Sequence, residues 1–363
     1  MNGNDLFNIL DDIILSKANA DEIQDKDLSG IVILKGAKCN FSCDYCFANN
    51  CKNEPFSKTV IEPDKLKLAF SELKSKDKLI LGIYAGEPLY NKEAFINLCN
   101  IINTELSNAK IAINTNGSLL DNWWVDFFID HKVYVNISHD GPGQKYRGFD
   151  FLESEKHVKV IQRLQKLGNL NDFSTVVHKY NCSFNNIYNF FIDAQNKTGI
   201  MPKNYNFIFV QPDLKVDIPY NFSYMDKDLI NYIYDNLRFL LKNSLETNQN
   251  VVYSGMHKDL LSYLKKIIYK EILTCAGNSF RIDSSGQKIC FKSYFNEQKD
   301  SLIRKDHIER CLSCKERRLC PFSYCEAMQL NDTVCSKIKD FILTVDWALN
   351  NILENYETLY TIR

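Results

Sequence analysis

The sequence lacks a large net charge, a long apolar run and a secretion signal. Its 363 residues carry 44 Lys and Arg against 45 Asp and Glu, so the formal charge is −1 at pH 7. Because basic residues are not in excess, neither a nucleic acid nor an anionic membrane is an expected partner. No apolar stretch approaches the roughly 18 residues that span a bilayer. The first residues, MNGNDLFNILDDII, carry acids where a signal peptide carries bases. A cytoplasmic protein that binds no membrane is therefore expected.

Cysteine is the residue that is unusually abundant. The chain has 13 cysteines in an otherwise ordinary globular composition, without internal repeats. Because a reducing cytosol disfavours disulfides, clustered cysteines indicate metal ligands there. Four lie between residues 39 and 51 and seven between residues 275 and 335, whereas Cys99 and Cys182 stand alone. These two are expected to be buried, inert thiols.

Short β-rich runs alternate with amphipathic segments from residue 30 onward. Strands are predicted at 30–36, 78–86, 110–117, 133–141, 172–179 and 204–212. Helices are predicted between them at 62–75, 92–106, 121–131, 154–167 and 185–198, and again within 222–272 and after Cys335. Apolar strands joined by helices are typical of a parallel sheet buried on both faces. The predicted fold class is therefore α/β.

Motifs that suggest chemistry fall where four of the predicted strands end. The cysteines of KGAKCNFSCDYC follow the first strand, AGEP ends the second, NTNG the third and SHDGP the fourth. In parallel sheets, ligands collect at the carboxyl ends of the strands. The four motifs therefore indicate one site at this edge of the sheet.

The first cysteine cluster has the spacing C-x3-C-x2-C, formed by Cys39, Cys43 and Cys46. Three thiolates can hold three corners of a [4Fe–4S] cube and leave the fourth iron open, which is of use where a ligand must bind the metal directly. A zinc site or three unrelated buried thiols are the alternatives for the triplet alone. The spacing resembles that of the radical S-adenosylmethionine (SAM) enzymes, and Tyr45, just before the third cysteine, matches as well.

This resemblance implies a partial (β/α)6 TIM-like barrel. SAM would chelate the open iron, and an electron from the cluster would cleave it to a 5′-deoxyadenosyl radical. An electron donor such as flavodoxin or ferredoxin is then an expected partner. The AGEP motif departs from the family's Gly-Gly-Glu-Pro at Ala85, and the segment before Arg147 is shorter than the usual pattern. The implied cofactor-binding residues are Tyr45, Gly86, Glu87, Asn116, Ser138 and Arg147.

The C-terminal cysteines resemble the SPASM domain, an extension of radical SAM enzymes that holds auxiliary iron–sulfur clusters. CAGNSFRIDSSGQKIC matches the hairpin between that domain's first two cysteines, although two spacings in the domain differ slightly from the usual pattern. The resemblance implies two auxiliary [4Fe–4S] clusters. By motif position, one would take Cys311, Cys314, Cys320 and Cys335, and the other Cys275, Cys290 and Cys325. The second set is one ligand short, so either an open site or a Glu, His or water ligand is expected there. A zinc site is the alternative for the C-terminal cysteines as a whole.

These assignments divide the chain into five parts. They are an N-terminal arm (1–28), a radical SAM partial barrel (29–215), a helical bridge (216–272), a SPASM auxiliary-cluster domain (273–336) and a C-terminal helix (337–363). The arm is too short for the winged-helix module of roughly 80–90 residues with which many such enzymes grip a leader peptide, so a separate leader-peptide-recognition protein, the bridging helices or a sheet edge is expected to hold the substrate.

Enzymes with this pair of domains mostly modify peptides or proteins. The resemblance therefore implies a maturase that installs a C–C or thioether crosslink in a ribosomally synthesised precursor peptide. The alternatives are sulfatase maturation, peptide epimerisation, dehydrogenation of a small molecule and a non-catalytic iron–sulfur carrier. The sulfatase-maturing branch carries an aspartate after the second hairpin cysteine, where this chain has Phe291. Asp213, after the sixth strand, is the candidate catalytic base, and a solvated loop acid is the alternative for it.

Overall fold

The computed structural model describes residues 27–34, 38–46, 60–76, 78–84, 86–210, 220–242, 280–286 and 332–354. Of Cys335 it describes only the backbone. Seven predicted site residues lie outside the described residues: Asp213, Cys275, Cys290, Cys311, Cys314, Cys320 and Cys325. The auxiliary clusters and the catalytic base therefore stay predictions.

The described strands form one open parallel sheet. They are β1 (Asp27–Ile33), β2 (Lys78–Tyr84), β3 (Ala109–Thr115), β4 (Val133–Ser138), β5 (Leu170–Val177), β6 (Asn204–Phe209) and β7 (Phe280–Asp283). Their order is β6-β5-β4-β3-β2-β1-β7, and every neighbouring pair is parallel. The predicted parallel α/β sheet is thus confirmed.

Helices follow the strands along the chain. The described ones are α1 (Pro63–Phe70), α2 (Lys92–Glu105), α3 (Asn122–Asp130), α4 (Glu155–Lys166), α5 (Phe184–Thr198), α6 (Lys227–Lys242) and α7 (Asp332–Glu354). Within the described ranges, none of the helices combines the length and the apolar character that crossing a membrane requires.

Local capping explains where the barrel helices begin and end. The side chain of Asn91 accepts from the Ala94 backbone N–H at the start of α2, and Asp121 caps α3 in the same way. A side-chain acceptor at this position satisfies a helix N–H that has no partner inside the helix. Gly199 ends α5 with a φ of 68°, a conformation that glycine adopts without strain.

One face of the sheet carries the core, and the other is polar. Leu81, Ile111 and Val135 are fully buried on the first face, where the helices supply buried rings such as that of Phe128. The residues that alternate with them along β3 and β4 are half-buried or exposed. Burial on both faces, the expectation from the sequence, therefore holds for one face only, because the second face lines the interior of the partial barrel.

Strand β7 brings a C-terminal segment back to the barrel sheet. Residues 280–283 pair with Gly30–Ile33 of β1. The Ser284 N–H then donates to the carbonyl oxygen of Ile33 at 2.8 Å, and the Glu62 N–H donates to the carbonyl oxygen of Ser284 at 3.0 Å. These bonds tie the turn to the segment before α1. The sequence predicted this stretch as part of a hairpin in the cysteine-rich region and did not predict its pairing with the barrel.

Helices α6 and α7 pack against each other. Ile342, Val345 and Leu349 of α7 are buried in the core. The side-chain amide of Asn351 donates to the hydroxyl of Tyr234 at 2.7 Å. A helix was predicted in each of these regions, although α7 begins at Asp332, before the predicted start at residue 337.

Candidate functional site

The cysteine triplet lies on the loop that follows β1, at the carboxyl edge of the sheet. Cys43 is buried, and Cys39 and Cys46 are half-buried. The Cys46 N–H donates to the carbonyl oxygen of Cys43 at 3.2 Å, and the Phe41 N–H donates to the Cys39 sulfur at 3.3 Å. Burial raises the pKa of Cys43, and charge on Cys46 and Cys39 adds to the rise. The loop therefore gathers the three thiols into one short turn.

Gly86, which follows β2, packs closely against the backbone of this turn. A Cβ atom at Gly86 would lie 2.7 Å from the carbonyl carbon of Lys38, 2.8 Å from its oxygen and 2.9 Å from the backbone nitrogen of Cys39. The Glu87 N–H donates to the carbonyl oxygen of Lys38 at 2.8 Å across the same contact. Only glycine permits such a close approach of two backbones. Gly86 therefore positions the first cysteine through the backbone of Lys38 and Cys39.

The carboxylate of Glu87 is buried and bound by protein donors. It accepts from the Thr115 hydroxyl at 2.7 Å, the Asn116 N–H at 2.7 Å and the Leu89 N–H at 3.1 Å. Burial raises its pKa to about 7, although these hydrogen bonds oppose the rise. The described contacts make Glu87 the link between the ends of β2 and β3. Its contact with the amino group of SAM stays a prediction.

Asn116 links the end of β3 to the cysteine loop. Its Nδ2 donates to Oδ1 of Asn40 at 2.8 Å and lies 3.9 Å from the sulfur of Cys39. Its Oδ1 accepts from the hydroxyl of Ser118 at 2.7 Å, and Nδ2 of Asn40 donates to that hydroxyl at 2.8 Å. Three side chains thus close a ring beside Cys39. Sequence analysis found Asn116 but not Asn40 or Ser118, because neither belongs to a spacing pattern.

A buried ion pair lies on the other side of the triplet. The Arg147 guanidinium donates to the fully buried carboxylate of Asp140 at 3.1 Å. Asp140 also accepts from the Val176 N–H at 2.9 Å and from the Tyr45 hydroxyl. The Cys43 thiol donates to the carbonyl oxygen of Arg147 at 3.4 Å. Burial raises the pKa of Cys43 to about 12, and the charge of Arg147 opposes that rise.

Two of the predicted cofactor-binding residues keep polar groups free for a ligand. Ser138 ends β4, and its half-buried hydroxyl makes no hydrogen bond with the described residues. The Nε of Arg147 is buried and has no hydrogen-bond partner among the described residues. The polar side-chain atoms of Tyr45, Glu87 and Asn116, in contrast, already bind protein groups. The structure brings these five residues to the same rim of the sheet, and cofactor contacts at them stay predictions.

An aromatic cluster covers the ring of Tyr45. The His178 ring lies 5.0 Å from the Tyr45 ring, centroid to centroid, and 5.0 Å from that of Tyr220. Burial, together with the charge of Arg147, lowers the pKa of His178 to about 4. The cluster was missed by sequence analysis, because its members come from loops that are distant in the chain: Tyr45, Tyr146, His178, Tyr180 and Tyr220.

The donor set fits an iron–sulfur cluster. Cysteine thiolates are the ligands that such clusters take. Burial raises the pKa of Cys39 and of Cys43, so free thiolates are unfavourable there, and a bound metal offsets this cost by deprotonating the thiols. No three His, Cys, Asp or Glu side chains in the described part of the chain are arranged around a single metal ion. By their spacing and their place on one loop, Cys39, Cys43 and Cys46 are the residues that could hold a cluster.

Comparison with known proteins identifies this region. The Radical SAM superfamily model matches residues 33–191. Residues 33–191 are a radical SAM domain. Membership of this superfamily implies SAM and a [4Fe–4S] cluster. The matched range contains all four motifs at the strand ends, one of which is the cysteine triplet.

The radical SAM domain has curated relatives that differ in how much of this chain they match. The serine-type anaerobic sulfatase-maturating enzyme of Bacteroides thetaiotaomicron is 28% identical over 173 residues, which are 43% of this chain and 41% of the relative. The chain thus spans about two fifths of the length of this relative. The radical SAM cyclopropyl synthase TigE of Paramaledivibacter caminithermalis is 22% identical over 318 residues, 80% of this chain and 62% of the relative.

A solved structure supports the fold over most of the chain. The structure of native anSMEcpe with bound AdoMet and Kp18Cys peptide has a TM-score of 0.58 and 20% sequence identity, and covers 91% of this chain and 99% of that chain. This likeness confirms the TIM-like α/β fold around the radical SAM domain.

Proposed function

We propose that this chain is a radical SAM maturase that installs a crosslink in a ribosomally synthesised peptide. The observation that carries the proposal is the cysteine turn, which Gly86 holds at the rim of an open parallel sheet beside a buried Arg147. Such a turn would hold the cluster to which SAM binds. The polar interior face of the sheet would give a substrate access to the turn. The relative TigE, a cyclopropyl synthase, supports the choice of bond formation over other outcomes.

Three thiolates, from Cys39, Cys43 and Cys46, would hold the cluster. When bound, the cluster and SAM would supply a 5′-deoxyadenosyl radical that abstracts a hydrogen atom from the substrate. Arg147 would hold the carboxylate of SAM with its free Nε, because charged donors bind carboxylates tightly. The Ser138 hydroxyl would add a second donor. Asp140 keeps the Arg147 side chain oriented toward the rim.

Further parts of the proposal concern residues and partners beyond this rim. The C-terminal cysteines would hold two auxiliary [4Fe–4S] clusters that accept the surplus electron after bond formation. Asp213 would take the proton that the substrate loses. The expected partners are a precursor peptide, an electron donor such as flavodoxin or ferredoxin, and a separate leader-peptide-recognition protein.

Sulfatase maturation is the second candidate function. Relatives that mature sulfatases include the enzyme of Bacteroides thetaiotaomicron described above. Phe291 argues against sulfatase maturation, because it occupies the position at which the sulfatase-maturing branch carries its aspartate. Under this candidate the product would be an aldehyde in a sulfatase rather than a new bond within a peptide.

Mass spectrometry of co-expressed peptides tests the proposal. The chain is expressed anaerobically with each short open reading frame near its gene, and the peptides are compared with those from a Cys43→Ala control. A crosslink removes the mass of two hydrogen atoms and suppresses fragments between the joined residues. An aldehyde that reacts with a hydrazide would favour sulfatase-type chemistry, and deuterium uptake from heavy water without a mass change in light water would mean epimerisation. Reconstituted protein that forms no 5′-deoxyadenosine from SAM and a reductant would overturn every enzymatic reading.

A further inference from the structure

Amide side chains run across the interior face of the sheet. Nδ2 of Asn136 donates to Oδ1 of Asn114 at 2.8 Å, and Nδ2 of Asn171 donates to Oδ1 of Asn136 at 3.0 Å. The carboxylate of Asp172 then accepts from Asn204 at 3.0 Å and from Asn206 at 2.8 Å. We call this set the amide ladder: Asn114, Asn136, Asn171, Asp172, Asn204 and Asn206. It crosses four neighbouring strands, β3 to β6.

A register shift between β4 and β5 places Asn171 and Asp172 together at the centre of the ladder. The pairing of β4 with β5 shifts between Val135 and Asn136, so that these two pair with Leu170 and Asp172. The extra residue is Asn171. Both Asn171 and Asp172 are half-buried and bind interior side chains, whereas Leu170 is buried in the core. Bulges of this kind often re-aim side chains next to functional sites.

The carboxylate of Asp172 has amide partners but no cation. It forms no ion pair within the described residues, and two exposed lysines near the starts of β3 and β6 have other partners. Lys110 and Lys203 lie over the ring of Tyr134, at 5.5 Å and 5.1 Å from its centroid. Burial raises the pKa of Tyr84 on β2, and the charge of Asp172 adds to this rise. Within the described residues, the partners of the Asp172 carboxylate are therefore neutral amides and not cations.

We propose that the amide ladder is a substrate subsite in which Asp172 binds a lysine or arginine side chain of the peptide. Two amides already hold the carboxylate in place, so its side chain loses little conformational entropy when a cation binds. Hydrogen bonds between charged groups are also strong. The carboxamide N–H and C=O groups of the ladder are of the kind that binds the backbone of an extended peptide. This inference rests on the proposed peptide substrate and names a residue type within it.

The position of Asp172 sets where that residue lies in the substrate. Asp172 is five residues before Val177, the last residue of β5. At a rise of about 3.3 Å per residue, it lies roughly 16 Å below the rim that carries the cysteines. The bound cation therefore belongs to a neighbour of the modified residue and not to the modified residue itself.

A peptide selection tests the subsite without knowledge of the natural substrate. The probe is a library of random ribosomally made peptides, displayed on their own mRNA and selected on immobilised, reconstituted, SAM-loaded holoenzyme. We expect Lys and Arg to be enriched about tenfold in the wild-type pool relative to an Asp172→Asn pool, the ratio that corresponds to about 1.4 kcal/mol. An Asp172→Lys enzyme should instead enrich Asp and Glu. The matched control is Asp64→Asn, because the Asp64 side chain is 99% exposed on the outer surface of α1.

The outcomes separate this inference from the proposed function. Circular dichroism and iron analysis first establish that each variant is folded and loaded. An equal Lys and Arg content in the wild-type and Asp172→Asn pools, or a wild-type pool without any enrichment, overturns the subsite. A crosslinked peptide found by co-expression in that case would leave the maturase function standing. Selection of Lys and Arg that reverses to Asp and Glu in Asp172→Lys supports the subsite, even where co-expression shows no crosslink.

Discussion

Replacing Gly86 with alanine should loosen the cysteine turn without changing any cysteine. The added methyl carbon would lie 2.7 Å from the carbonyl carbon of Lys38, and 3.4 Å is the lower limit of ordinary contact. The two backbones must therefore separate by about 0.7 Å. The hydrogen bond from the Glu87 N–H to the Lys38 carbonyl oxygen, now 2.8 Å, would lengthen to about 3.5 Å, beyond the range of a normal N–H···O bond.

The energetic effect of this substitution follows from opposing contributions. Overpacking of this kind costs about 1–3 kcal/mol. Loss of the hydrogen bond costs about 1 kcal/mol. The reduced entropy of the unfolded chain returns about 0.4–1 kcal/mol when glycine becomes alanine. We therefore expect Gly86→Ala to lower the free energy of unfolding by about 1–3.6 kcal/mol, and to weaken cluster loading because Cys39 moves with Lys38.

Two measurements and one matched variant test this prediction. Urea unfolding gives the change in stability, and iron analysis after anaerobic reconstitution gives the loading, which should fall between those of wild type and Cys43→Ala. Gly168→Ala is the control, because Gly168 has a φ of +80° but no atom within 4 Å of the added carbon. It should lose stability through backbone strain and keep wild-type iron. Wild-type iron and wild-type stability in Gly86→Ala would refute the steric argument.

The remaining predictions concern charge and metal at the rim. Arg147→Ala leaves the Asp140 carboxylate buried without its cation and should cost about 3–5 kcal/mol. A urea double-mutant cycle with Asp140→Asn should recover part of that cost, and additive effects would contradict the pairing. The pKa of His178 is about 4 when folded against 6.5 in the unfolded chain, so the unfolded chain takes up a proton first as the pH falls. Stability should therefore fall between pH 6.5 and pH 4, and His178→Phe should flatten that loss in thermal melts, whereas an unchanged slope would contradict it. Cys43→Ala should reduce the iron content, while Cys182→Ala, a buried thiol outside the turn, should not; equal iron in both would contradict the ligand assignment.

Elements that depend on local sequence could be predicted well. The helix expected at 92–106 is observed at Lys92–Glu105, and the helix expected at 185–198 at Phe184–Thr198. Periodicity and capping residues lie within each such segment, so the sequence carries the signal locally. Strand β1 was predicted at 30–36 and is observed at Asp27–Ile33, because its polar start is fixed by pairing with β2, from Asp27 opposite Lys78 onward.

Features that depend on distant pairing could not be predicted. The sequence FRID carries no sign that it will lie beside β1, since the two segments are far apart in the chain. The amide ladder has the same origin, because the partner of Asn136 depends on a register shift between β4 and β5. A register is set by the whole sheet and not by the strand alone. Sequence patterns therefore located the rim of the site and left its interior undetermined.

The partners of individual side chains at the rim depend on loop conformation as well. Glu87 was expected to face SAM, and its described contacts are with Thr115, Asn116 and Leu89. Asp140 lies in the quoted SHDGP motif, yet no role followed from its position. Its pairing with Arg147 requires the turn between them, which only the folded chain shows.

That ion pair explains how a rim built for a metal can fold before the metal arrives. A cluster held by three thiolates is anionic, so a buried Arg147 is well matched to the loaded site. In the unloaded site the Cys43 thiol is neutral, because burial raises its pKa to about 12. Arg147 would then be a buried charge without compensation, a costly state. Asp140 offsets part of that cost in both states, since its carboxylate accepts from one nitrogen of the guanidinium. Among the described residues, Nε has no hydrogen-bond partner. The pair therefore keeps the cation in place without making folding depend on a bound metal.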